Sequence, residues 1–99
     1  MKITESRNDS TIEIKVEGRV DTTTSPQLQQ SILTAFQKGS KVIVNLEAVD
    51  YVSSAGLRAL LLGQKTAMSK GGSMILTNVK DSVMGVLQVS GFSKILQIE

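Results

Sequence analysis

Two adjacent hydroxyls, Ser53 and Ser54, are followed by Ala55 and Gly56 at the point where one apolar run hands over to another. An apolar strand from Lys41 to Leu46 runs into this stretch, and an amphipathic, leucine-rich helix runs out of it. Either serine suits a helix N-cap, because its oxygen can accept orphan amide hydrogens of the first turn. With Ser54 as the cap, Gly56 falls inside that first turn, where glycine costs roughly 0.5–1 kcal/mol relative to alanine. A residue without a side chain there lets another backbone or a partner approach closely. Hydroxyls at the positive end of a helix, beside bare backbone, form a docking or modification point. A serine ahead of a leucine-rich helix also serves simply as a cap, and the local pattern does not separate the two uses.

The residue types that are missing narrow the chemistry further. The chain has no histidine and no cysteine, so Ser-His-Asp and Cys-His relays and His/Cys zinc sites cannot be assembled within it. Acid–base work would fall on carboxylates, lysines or Tyr51, and the expectation is a protein that is not an enzyme and takes no metal or cofactor. Neither G-x-x-x-x-G-K-[ST] nor G-x-G-x-x-G occurs, and Gly71-Gly72 follows a helix rather than preceding one. Eleven basic and nine acidic residues are mixed along the sequence, and aromatic content is 3%, a pattern that argues against a nucleic-acid platform. No apolar run approaches the roughly 20 residues needed to span a bilayer. Met1-Lys2-Ile3-Thr4-Glu5 is not an export signal, which places the chain in the cytoplasm, as a monomer or a weak dimer.

Positioning these residues requires a scaffold, and 99 residues with 40% hydrophobic content are enough for one domain, residues 1–99, with one core. Residues 2–7 and 11–17 read as a hairpin: Ile12, Ile14 and Val16 alternate with Glu13, Lys15 and Glu17 across a turn at Asn8-Asp9-Ser10. Ser25-Pro26 predicts a helix start with Ser25 as cap, and Leu28, Ile32, Ala35 and Phe36 form one apolar face before Lys38-Gly39 ends it. After the strand and the Ser54 helix, the stripe Leu57, Leu60, Leu61, Ala67 and Met68, with Gln64 in it, stops at Lys70-Gly71-Gly72. Met68, Met74 and Met84 lie on core-facing patterns. Ser73–Thr77 predicts a short buried strand, Val83, Val86 and Leu87 a third helix, and Lys94–Ile98 a last strand.

The order β-β-α-β-α-β-α-β predicts an α/β fold: a mixed, mostly parallel sheet with an N-terminal hairpin and three to four helices packed mainly on one face. In such sheets functional groups collect where strands hand over to helices. If the strand before Gly18 neighbours the strand before Ser53, then Asp21, Thr22 and Thr23 come near Ser54. These loop residues also suffice simply to satisfy loop amides.

Tyr51-Val52-Ser53-Ser54-Ala55-Gly56-Leu57, preceded by Val42-Ile43-Val44-Asn45-Leu46, resembles the anti-sigma factor antagonists of the STAS domain family. Gly18-Arg19-Val20-Asp21 resembles the family's Gly-x-x-Asp element, and Ser90-Gly91-Phe92-Ser93-Lys94-Ile95 matches near the end. The resemblance implies a bacterial partner-switching protein whose unmodified form binds an anti-sigma factor that is also a serine kinase, freeing the sigma factor. Phosphorylation of the antagonist breaks that complex, and a serine phosphatase reverses it. Aligning Gly56 and Leu57 puts Ser54 at the phosphoacceptor position, with Ser53 as second candidate, and Asp21 at the acidic residue beside it. Antagonists of the sporulation type often carry Asp before the acceptor and Ser after it, where this chain has Ser53 and Ala55. The implied partner surface comprises Asp21, Thr22, Thr23, Ser53, Ser54, Ala55, Gly56 and Arg58. Two other readings remain open: a STAS subunit of a membrane-associated lipid-trafficking complex, and a small enzyme using Ser54 with a lysine base.

Overall fold

The computed structural model describes all 99 residues. Its elements are β1 (Lys2–Asn8), β2 (Thr11–Glu17), α1 (Ser25–Lys38), β3 (Lys41–Ala48), α2 (Ser54–Ser69), β4 (Ser73–Thr77), α3 (Asp81–Val89), a 3-10 turn (Phe92–Lys94) and β5 (Gln97–Ile98). The five strands form one sheet in the order β1-β2-β3-β4-β5. β1 pairs antiparallel with β2, and every later pair is parallel. The hairpin closes through Asp9-Ser10, with Asn8 opposite Thr11 and Asp9 at φ 57, the positive φ that tight hairpin turns require.

Period-2 patterning decides which face is covered. Ile12, Ile14, Val16, Val42, Val44, Leu46, Met74 and Leu76 are all buried, and they join Leu28, Ile32, Leu57, Leu60, Val83 and Leu87 from the helices in one cluster. The alternate residues, Glu13, Lys15, Asn45 and Thr77 among them, line the opposite face, which no element of this chain covers. That face is knitted by side chains: Asn45 Nδ2 donates to Glu13 Oε2 at 3.2 Å, and Asn78 Nδ2 donates to Asn45 Oδ1 at 3.2 Å. The helices therefore pack on one side of a mixed sheet, as the sequence predicts.

Several local expectations are corrected. Ser25 does not cap α1; it is the first helical residue and is buried, while Thr24 holds the cap position with its side chain turned elsewhere. Met68 is 70% exposed despite its place in the stripe: in the last turn of α2 the core is met by Ala67, and Met68 lies beyond its edge. Val86 lies at the edge of the α3 stripe and is exposed, whereas Val83 and Leu87 are fully buried. The last strand shrinks to Gln97–Ile98, since Phe92–Lys94 wind into a 3-10 turn after Gly91 at φ 81. Leu96 is buried and Ile95 is exposed, with the Ile95 and Leu96 amides bonded back to Phe92 O instead of to a neighbouring strand.

Candidate functional site

The site is made by two parallel strand ends that continue past a bulge. The β2–β3 ladder shifts register between Lys15 and Glu17, and Gly18 N then donates to Ala48 O at 3.1 Å. Beyond it Val20 and Val52 form an isolated parallel bridge: Val20 N donates to Tyr51 O at 3.0 Å, and Ser53 N donates to Val20 O at 2.8 Å. Both valines are buried. Alternation along an extended backbone therefore sends their neighbours Arg19, Tyr51 and Ser53 to the other, solvent side. The loop after β2 and the start of α2 thus lie side by side, as the topology argument requires.

Ser53 is the N-cap of α2. Its Oγ accepts from Gly56 N at 3.4 Å and its carbonyl from Leu57 N at 2.9 Å. Ser54 becomes the first helical residue, is exposed, and its hydroxyl makes no hydrogen bond within the chain. The Ser54 and Ala55 amides also lack partners within the chain, as the first amides of a helix do. Ala55 is half-buried and Arg58, one turn on, is exposed. Gly56 is buried: a Cβ there would stand 2.7 Å from Val20 Cγ1, 2.8 Å from Val52 Cγ1 and 3.1 Å from Val20 O. The close approach that glycine permits is thus made by the protein's own strand end, and Gly56 serves the surface from beneath.

Asp21 organises its loop. Its Oδ1 accepts from Thr23 N at 3.0 Å, Thr23 Oγ1 at 2.8 Å and Thr24 N at 3.1 Å. Thr24 Oγ1 also lies 3.1 Å from Asp21 Oδ1, but it is 2.7 Å from Arg19 O, and its single proton goes to the shorter contact. The same hydroxyl accepts from Asp21 N at 2.8 Å. These donors, the Thr23 hydroxyl first, hold the Asp21 carboxyl below the usual carboxylate range against a smaller opposing effect of desolvation. Thr22 and Thr23 are exposed on the resulting turn.

Three features carry no signal in the sequence. The Arg19 guanidinium lies over the Tyr51 ring, 4.0 Å from its centroid, and Arg19 Nε is 3.9 Å from Asp21 Oδ2. Ser82 Oγ donates to Asp50 O at 3.2 Å, tying α3 to the loop that precedes Ser54. Thr24 locks the other loop. The first two depend on the Val20–Val52 bridge and on tertiary docking, and the third is a local turn; none of them leaves a periodicity to read. No group of three or more acidic side chains stands close enough to hold a metal ion, and no helix is long and apolar enough to cross a membrane.

Comparison with known proteins adds four findings. Residues 2–99 match the STAS domain. A Bordetella bronchiseptica protein named as an anti-sigma factor antagonist, BtrV, is 32% identical over 99 residues, 99% of this chain and 85% of the relative. The unphosphorylated form of the anti-sigma factor antagonist SpoIIAA superposes with a TM-score of 0.82 at 25% identity, covering 99% of this chain and 88% of SpoIIAA. Its phosphorylated form, from Bacillus, superposes with a TM-score of 0.76 at 24% identity over 99% of this chain and 91% of that one.

Proposed function

The chain belongs to the STAS domain family, and from that premise we propose that it is an anti-sigma factor antagonist switched by phosphorylation at Ser54. In its unmodified form it binds an anti-sigma factor that is also a serine kinase, so that the sigma factor is released. The kinase phosphorylates Ser54, the complex dissociates, and a serine phosphatase restores the binding form. The protein works in the cytoplasm as a binding module and not as an enzyme.

The observation that carries this reading is the state of Ser54: exposed, free of internal hydrogen bonds, and held on the first turn of a long helix. Ser53 is a poorer acceptor because its oxygen is occupied by the cap bond to Gly56 N. Phosphate adds about −1.5 to −2 charges and three acceptor oxygens. The free amides of Ser54 and Ala55 and the helix dipole tolerate that charge, so the fold itself stays intact. A partner surface matched to a neutral hydroxyl does not, because it would meet steric bulk and an uncompensated charge. Asp21, Thr22, Thr23, Ser53, Ala55 and Arg58 form the surface around Ser54, with Gly56 supporting it.

The test is incubation with candidate anti-sigma kinases and ATP, followed by mass spectrometry of the tryptic peptide Val42–Arg58, which contains both serines. Phosphate on Ser54, retained in Ser53→Ala and lost in Ser54→Ala, is expected. Modification confined to Ser53, or none with any kinase that binds the protein, would overturn the assignment.

A further inference from the structure

Arg19 is a loosely held cation. Its side chain is 63% exposed, it donates no hydrogen bond, and its contact with Asp21 Oδ2 at 3.9 Å is too long to be one. The three donors from Thr23 and Thr24 all go to Asp21 Oδ1, and Oδ2, the oxygen nearer Arg19, stays beyond hydrogen-bond distance of the guanidinium. What holds Arg19 is the face of Tyr51, 4.0 Å away. At an exposed site such a stack is weak, and guanidinium prefers a phosphate, which it can grip with paired donors.

The register puts this pair on the strand ends that lead to Ser54. Val20 and Val52 are bridged, so Arg19 stands level with Tyr51 and Asp21 with Ser53, and all lie on the solvent side. Arg19 Nε lies 3.9 Å from Asp21 Oδ2, and Asp21 stands across the bridge from Ser53, whose amide is bonded to Val20 O at 2.8 Å. From there a side-chain rotation brings the guanidinium to a group on the next residue. Arg58, four residues along α2 from Ser54, is the other cation in reach, since i and i+4 share a helix face.

We propose that Arg19 is the phosphate-binding residue of the phosphorylated form: its guanidinium leaves Tyr51, pairs with the Ser54 phosphate across the strand–helix junction, and uncovers the Tyr51 ring. Phosphorylation then does more than add charge. It removes an Arg–Tyr pair, two residue types that anchor protein interfaces, from the docking surface and pins the arginine to the modified helix. This rests on Ser54 being the acceptor, as proposed above, but not on which kinase or partner acts.

The experiment installs phosphoserine at position 54 during synthesis, so no kinase is needed. Tyr51 is the single tyrosine, so its ring resonances are identified directly, and their shift on phosphorylation is compared with that in Arg19→Gln, where no stack exists to be lost. Phosphorus NMR follows the second ionisation of the phosphate, ordinarily near pH 6, in the presence of Arg19, Arg58, Asp21 and Asp50. Expected is a Tyr51 ring shift on phosphorylation, and a phosphate titration midpoint that moves up by about half a pH unit in Arg19→Gln. Arg58→Gln should leave the Tyr51 shift in place, and Arg19→Lys should restore part of the midpoint. Unmoved Tyr51 resonances, or a midpoint that responds to Arg58→Gln and not to Arg19→Gln, would overturn the proposal. Neither result would touch Ser54 as a kinase site, which the mass-spectrometric mapping decides separately.

Discussion

Replacing Gly56 by alanine adds one methyl group at the most crowded point beneath the site. The new Cβ would sit 2.7 Å from Val20 Cγ1, 2.8 Å from Val52 Cγ1 and 3.1 Å from Val20 O. Both valines are buried, and the carbonyl is bonded to Ser53 N, so none of the three has an easy way to yield. Overpacking of this kind costs about 1–3 kcal/mol, while removing a helical glycine returns roughly 0.5–1 kcal/mol. The net loss is therefore about 1–2 kcal/mol, or a melting temperature lower by roughly 5–15 °C for a domain of this size. Gly85 supplies the control: it lies inside α3, and a Cβ there meets nothing within 4 Å. The same substitution at Gly85 should raise stability by about 0.5–1 kcal/mol. Thermal and urea unfolding followed by circular dichroism measure both. A Gly56→Ala protein that melts at or above wild type, or a Gly85→Ala protein that melts below it, would refute the assignment of close approach to Gly56.

Ser53→Ala removes the α2 cap and should cost about 0.5–1 kcal/mol, the low end of the capping range because the bond is long at 3.4 Å, and should leave Ser54 phosphorylation intact. Unfolding curves and kinase assays on the same preparation check both halves. Asp21 is held below its ordinary ionisation range, so its contribution to stability is present above the unfolded carboxylate range and is lost as pH falls through the folded value. Thermal melts should accordingly show Asp21→Asn less stable than wild type at neutral pH, with the gap closing in acid. A gap that widened in acid would reverse that sign. Ser54→Asp should weaken binding to the anti-sigma factor by about 30-fold or more, equivalent to about 2 kcal/mol, as measured by calorimetry.

Much of this architecture was legible because it rests on local rules. Alternation fixed the buried face of β2, and β4 runs over Ser73–Thr77 as its apolar run predicts. The apolar positions Leu28, Ile32, Ala35 and Phe36 of α1 are all buried. Where two neighbours have equal propensity, sequence could not choose: Ser53 and Ser54 both suit a cap, and only the hydrogen bond to Gly56 N separates cap from exposed hydroxyl. Ser25 and Thr24 pose the same problem at α1, and the Asp21 turn settles it by drawing Thr24 Oγ1 back toward Arg19 O. Met68 shows the limit of periodicity, which gives a direction around the helix but not whether anything lies there. The Arg19–Tyr51 stack required the pairing of two strand ends beyond a bulge, a non-local fact with no trace in either segment alone.

In the proposed switch one exposed hydroxyl decides whether a partner can dock. The most direct measurement is the affinity of the anti-sigma factor for this protein prepared with serine and with phosphoserine at position 54, under identical nucleotide and salt conditions. The account predicts tight binding of the serine form, loss of at least about 30-fold for the phosphoserine form, and superimposable circular dichroism spectra for the two. Equal affinities of two equally folded forms would contradict it.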